Sequence, residues 1–98
     1  MNYFVITLTY ISELTEIEKH REAHLDFLRI QYDKGHFLMS GPQVPRKGGV
    51  IIAQYPSKNE LEKALLQDPF AINQLAHYNV VEFNPTMWAD YIPLLPKN

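Results

Sequence analysis

The first strand predicted in the sequence, residues 3 to 11, is apolar on both of its faces. β-Branched and aromatic residues dominate the segment and alternate along it. One face carries Phe4, Ile6, Leu8 and Tyr10, and the other carries Tyr3, Val5, Thr7, Thr9 and Ile11. A strand with this pattern needs cover on both sides of its sheet.

The remaining pattern predicts that helices cover only one of these sides. A first helix, capped by Ser12 or Thr15, ends at Gly35, and strands follow at 37–44 and 48–55. A second helix, capped by Ser57, ends near Gln67, and one or two further helical turns are expected within 70–76. A last strand covers 78–83. This βαββαβ order is typical of an α+β domain in which a four-stranded antiparallel sheet carries two helices on one face.

The uncovered face of the sheet indicates that two copies of the chain associate. Because no element is left to cover it, a monomer would expose a broad apolar patch, and a homodimer formed through this sheet face would bury it. The tail, residues 84–98, is also too apolar for a free terminus, with Met87, Trp88, Tyr91, Ile92, Leu94 and Leu95. Prolines at 85, 93 and 96 disfavour a long helix there, so we expect the tail to lie extended on its own domain or on the dimer partner.

Length and composition limit the class of protein. The 98 residues make a single domain, 1–98, and 9 basic against 11 acidic residues, with the basic ones scattered, provide no surface for nucleic acid or anionic lipid. The absence of cysteine excludes disulfides and thiolate chemistry. We find no signal peptide and no apolar run long enough to span a membrane, so we expect a cytoplasmic protein whose partner is a small molecule.

The first helix places ionisable residues where a core is expected. On a helical wheel of residues 17–33, His24 lies near the centre of the apolar arc, between His20 and Arg21. A histidine there is either a core residue bonded to a carbonyl group or an acid–base group, and the sequence favours neither. His20 and His24 have the spacing of metal ligands, but the intervening residues differ from HExxH and Arg21 disfavours a dication, so we expect no metal.

Two further segments contain candidates. Asp68, before Pro69, is explained locally as a helix N-cap, and it could also accept a proton from a facing histidine and fix its tautomer. Ser40 and Gly41 lie on the second strand, where a glycine lets a ligand approach the backbone. Ser40 is a better hydrogen-bond donor to a ligand than a nucleophile, because no GxSxG elbow surrounds it.

Four short motifs in the same order resemble the YCII-related domain family. They are REAHLDFL at 21–28, GHFLMSGP at 35–42, SKNELEKA at 57–64 and DPF at 68–70. The resemblance implies a ferredoxin-like fold that forms dimeric α+β barrels, and a site built on a His–Asp pair, here His24 and Asp68. It places Arg21, Ser40 and Gly41 near the same pocket, and we add Phe70 of the DPF motif as a substrate-binding residue.

The sequence thus predicts an enzyme that uses a His24–Asp68 dyad to transfer a proton on a small, cyclic organic substrate. Isomerase, lyase and hydrolase reactions fit this dyad equally well. The alternatives are a noncatalytic homodimeric protein that binds a metabolite and a cofactor-free monooxygenase. None of the three hypotheses calls for a bound cofactor, and His20 has no assigned role.

Overall fold

The computed structural model describes residues 1–92 and 94. The strands are β1 (Asn2–Tyr10), β2 (Phe37–Pro42), β3 (Gly48–Tyr55) and β4 (Ala76–Phe83), and the helices are α1 (Leu14–Lys19), α2 (Arg21–Asp33), α3 (Lys58–Leu65) and α4 (Pro69–Ile72). The strands form one antiparallel sheet in the order β2-β3-β1-β4. The predicted α+β, ferredoxin-like architecture is therefore confirmed.

The first predicted helix is in fact two helices that meet at His20. This residue has φ −108° and ψ 5°, outside the helical range, and it is at once the C-cap of α1 and the N-cap of α2. The predicted cap was also wrong, because Glu13 precedes α1 and makes no side-chain capping bond. A helical wheel drawn through the break misplaces His20 relative to His24.

Other helix ends follow the local signals of the sequence. Gly35 has φ +77°, the left-handed conformation that glycine adopts after a helix C-terminus. Ser57 accepts a hydrogen bond from the backbone N–H of Glu60 and so caps α3. Asp68 caps α4, with Pro69 at its first position.

The hydrophobic core lies between the helices and one face of the sheet. β1 contributes Phe4, Ile6 and Leu8, each no more than 2% exposed. The helices contribute Ile17, Phe27, Leu28, Leu61, Leu65 and Phe70. Backbones also pack closely within the sheet, since a Cβ on Gly48 of β3 would lie 1.6 Å from the Leu8 carbonyl oxygen of β1.

The opposite sheet face, which we call the second face, is apolar and only partly covered. Val5 pairs with Ile52 on one side and with Val81 on the other, and these three residues share that face. Val81 is 51% exposed, and Met39 and Phe83 on the same face are also exposed. This is the surface for which the sequence predicts a homodimer.

In the described part of the tail, residues 84–92 and 94, no helix or strand follows β4. Pro85 is buried, whereas Met87, Trp88 and Tyr91 are exposed. Where the tail prediction concerns Pro93, Leu95 and Pro96, it lies outside the described residues. No helix in the described part of the chain is long and apolar enough to cross a membrane.

Candidate active site

Asp68 accepts three hydrogen bonds at the junction of α3 and α4. Its Oδ1 atom accepts from the backbone N–H of Phe70 at 3.0 Å and lies 2.8 Å from Nδ1 of His24, and its Oδ2 atom accepts from the Tyr78 hydroxyl at 2.5 Å. The side chain is fully buried. The sequence offered two roles for Asp68, helix N-cap and partner of a facing histidine, and in the structure its carboxylate fulfils both.

The His24 ring is fixed in both position and orientation. It stacks on the Phe70 ring with the centroids 4.0 Å apart and the planes 4° from parallel. Because a buried carboxylate faces Nδ1, we assign the ring proton to Nδ1, which donates to Asp68. Nε2 then carries the lone pair and has no hydrogen-bond partner among residues 1–92 and 94.

Tyr78 completes this cluster from β4. Burial, and then the negative charge of Asp68, raise the pKa of the Tyr78 hydroxyl far above its usual range. Tyr78 therefore stays a neutral donor at any working pH and holds the second carboxylate oxygen. The sequence did not identify Tyr78, because a tyrosine in a strand has the ordinary role of a packing residue.

His24 lines a cavity of about 420 Å³ between the sheet and α2. The apolar part of its wall comes mainly from Leu8, Leu25, Leu28, Ile51 and Phe70. The polar part contains Arg21, Ser40 and Arg46 beside His24. An apolar cavity with a few convergent polar groups is the usual form of a small-molecule site.

A shift in the β2–β3 register brings Ser40 to the cavity. Phe37 pairs with Ala53, and after the irregularity Ser40 pairs with Ile51, so Ser40 lies on the same sheet face as Phe37. A regular strand would have placed it on the other face. Its Oγ atom lies 2.6 Å from the Tyr32 hydroxyl, and this hydroxyl pair is a feature that the sequence did not reveal.

Gly41 lines the cavity next to Ser40 and contributes backbone only. A Cβ added there would meet nothing within 4 Å, so the lack of a side chain leaves space beside the cavity wall. The structure thus brings five predicted residues, His24, Arg21, Ser40, Gly41 and Phe70, to one cavity, with Asp68 directly behind His24. The chemical roles assigned to these residues stay predictions.

Arg46 was not among the predicted site residues. It comes from the loop between β2 and β3, and its Nη2 atom lies 2.6 Å from Oε1 of Glu18 on α1. The guanidinium carbon is 5.7 Å from the centroid of the Tyr10 ring. The hydrogen bond to Glu18 raises the pKa of Arg46, which keeps this side chain a permanent cation at the cavity wall.

His20 lies outside the cavity lining. Its Nδ1 atom is 3.4 Å from the Asn73 side-chain nitrogen at the end of α4. Within residues 1–92 and 94, no group of three or more histidine, cysteine, aspartate or glutamate side chains is placed to hold a metal ion.

Comparison with known proteins identifies the family. The model of the YCII-related domain matches residues 1–84, which include all the strands and helices given above and all the site residues. The chain belongs to the YCII-related domain family. The predicted family membership is therefore confirmed.

Among solved structures, this YCII-related domain is similar to 5-chloro-2-hydroxyhydroquinone dehydrochlorinase (TftG) from Burkholderia phenoliruptrix AC1100, in complex with 2,5-dihydroxybenzoquinone. The two share 20% sequence identity with a TM-score of 0.73, over 84% of this chain and 93% of that one. At this identity the likeness shows the fold. No curated protein matches the sequence.

Proposed function

We propose that this protein is an enzyme that transfers a proton on a small, cyclic organic substrate, with His24 as the acid–base group. The observation that carries the proposal is the anchoring of His24 Nδ1 on the buried Asp68 carboxylate, which leaves Nε2 for a ligand in the cavity. The reaction is of the isomerase, lyase or hydrolase type. A dehydrochlorinase among proteins of this fold supports a small-molecule enzyme and favours the lyase type.

The chemistry follows from the state of the dyad. Nε2 takes a proton from a C–H or O–H group of the substrate, and the resulting imidazolium donates from Nδ1 to Asp68, whose negative charge stabilises it. The electron pair left on the substrate either expels a leaving group or moves along the conjugated system. In an isomerisation, Nε2 returns the proton at a new carbon; in an elimination, the leaving group departs with the bonding pair and Nε2 releases the proton to solvent.

Two groups on the cavity wall stabilise the substrate during this transfer. Arg21, at the start of α2, neutralises negative charge that develops on a substrate oxygen. Ser40 positions the substrate through its hydroxyl, which the hydrogen bond with Tyr32 orients. Phe70 both supports the imidazole ring and forms part of the apolar wall.

We also propose that two copies of the chain pair through the second face. The exposed apolar side chains of Met39, Val81 and Phe83 support this pairing. The exposed tail residues Met87 and Trp88 would then gain cover from the partner. The cytoplasmic location expected from the sequence stays a prediction.

The proposal is tested by proton exchange and by product release. The protein is incubated in deuterated buffer with 5-chloro-2-hydroxyhydroquinone and with an unsaturated lactone. Chloride release and deuterium incorporation into carbon are followed by ion chromatography and NMR. We expect the rate of any exchange or chloride release to fall at least about a hundredfold in a His24→Gln variant. The variant of an exposed histidine, His77→Gln, should keep the wild-type rate.

A correctly folded His24→Gln variant with the wild-type rate would overturn the assignment of His24. Ligand binding without exchange or turnover on any compound would instead favour the noncatalytic metabolite-binding protein. Oxygen uptake with an electron-rich phenol would favour the cofactor-free monooxygenase.

A further inference from the structure

The charges that line the cavity have one sign, opposite to that of the whole protein. The chain has a net charge of −2. Among the described residues that line the cavity, however, two are arginines, Arg21 and Arg46, and none is a carboxylate. The negative charge of Asp68 is fully buried and bonded to His24. A ligand in the cavity therefore meets positive charge.

The two arginines approach the cavity from different elements and differ in their partners. Arg21 is the first residue of α2 and makes no ion pair with a carboxylate among residues 1–92 and 94. Arg46 comes from the β2–β3 loop and is paired with Glu18. A free guanidinium and a paired one thus lie at the same cavity.

The pair between Arg46 and Glu18 is easily exchanged. The two side chains are 39% and 49% exposed, and an ion pair this open to water contributes little net stability. Tyr10, over whose ring the guanidinium lies, is itself a lining residue. Arg46 is therefore already at the cavity wall when Glu18 holds it. A carboxylate on an incoming ligand would only have to take the place of the Glu18 carboxylate.

The apolar wall determines what else the ligand needs. Phe70 offers a ring to the cavity while it stacks on His24, and aliphatic side chains from β1, α2 and β3 form most of the remaining apolar wall. A flat, apolar ring fits this environment, and its charged substituent belongs at the arginines.

We propose that the cavity selects small ring compounds that carry an anionic substituent, that Arg46 together with Arg21 determines this selectivity, and that Glu18 holds Arg46 until the anion replaces it. The inference depends on the proposed function only in placing the substrate in this cavity.

The test compares benzoate with benzamide, a neutral compound of nearly the same shape, by NMR titration at neutral pH and low salt. We expect benzoate to bind at least about fivefold more tightly than benzamide to the wild type. Arg46→Gln should remove most of this preference without weakening benzamide binding. Glu18→Gln, which frees Arg46, should strengthen benzoate binding alone by a few-fold.

Arg29→Gln is the matched control, because Arg29 pairs with Asp26 on the exposed side of α2 and does not line the cavity. Equal affinities for the two compounds, failure of both to bind, or a preference that survives Arg46→Gln would overturn the inference. Unchanged benzoate affinity in Glu18→Gln would refute the role of Glu18.

These outcomes are independent of catalysis. The preference should persist in His24→Gln, because the arginines and not the imidazole bind the anion. A wild type that is active on ring substrates but lacks the preference overturns this inference alone. A preference without any turnover overturns the proposed function alone.

Discussion

Asp68→Asn is the substitution that separates the structural and chemical contributions of the carboxylate. The amide keeps the shape of the side chain but has one oxygen and no charge. Its oxygen must take the place of Oδ1, because the backbone N–H of Phe70 can only donate. The new NH₂ group then faces the Tyr78 hydroxyl, which has to turn and accept.

The cost can be worked from the three hydrogen bonds. Each bond to a charged acceptor contributes about 1.5–3 kcal/mol and each neutral bond about 0.5–1.5, so removing the charge weakens each by about 1 kcal/mol. The neutral amide recovers part of this total, because its burial costs less than that of a carboxylate. We expect a net loss of about 2 kcal/mol in the free energy of unfolding, or about 10 °C in Tm.

The assay is urea unfolding followed by circular dichroism, with ¹⁵N NMR of the imidazole nitrogens. The exposed Glu62→Gln on α3 is the control for a carboxylate-to-amide change. We expect His24 to keep its proton on Nδ1 in Asp68→Asn while turnover falls at least about a hundredfold, because no charge stabilises the imidazolium. A loss of stability below about 0.5 kcal/mol, or a proton found on Nε2, would refute this account of the network.

Three further outcomes are expected. Gly48→Ala should lower the free energy of unfolding by more than about 2 kcal/mol, because its Cβ would overlap the carbonyl oxygen of Leu8 on the neighbouring strand. Gly41→Ala should cost far less, because the space around Gly41 is open, and equal losses of the two variants in urea unfolding would contradict this argument. Val81→Lys should shift sedimentation toward a monomer, whereas Leu66→Lys on the helical side should not, and a dimer that persists in Val81→Lys would exclude the second face as the interface. Burial raises the pKa of the Tyr55 hydroxyl, so the folded state keeps this proton while the unfolded chain loses it above about pH 10. The free energy of unfolding should therefore fall as pH rises further, by up to about 1.4 kcal/mol per pH unit, and less steeply in Tyr55→Phe. The same pH dependence in Tyr55→Phe would contradict the assignment to Tyr55.

The sequence predicted the elements whose signals are local. β3 has the predicted bounds, Gly48–Tyr55, because two glycines begin it and a proline and a capping serine follow it. Gly35 and Ser57 act as expected for the same reason. The break at His20 was missed, because continuous helical periodicity in residues 17–33 carries no sign of a single non-helical residue.

The candidate site was only partly predictable. Motifs placed His24 and Asp68 in the same site, but Tyr78 and Arg46 come from a strand and a loop with no pattern of their own, and only tertiary packing brings them near the cavity. Ser40 was predicted for a general reason, whereas the register shift that turns it toward the cavity cannot be seen in an alternating pattern.

The Asp68–Phe70 turn ties the integrity of the site to folding. One carboxylate oxygen both caps α4 and orients His24, and the ring two residues later both fills the core and supports the imidazole. In a library of variants selected only for folded protein, Asp68 and Phe70 would therefore be retained, while the exposed Arg21 would accumulate substitutions. If the proposed function is right, loss of activity in such a library should begin at the arginines, before Asp68 and Phe70 are substituted.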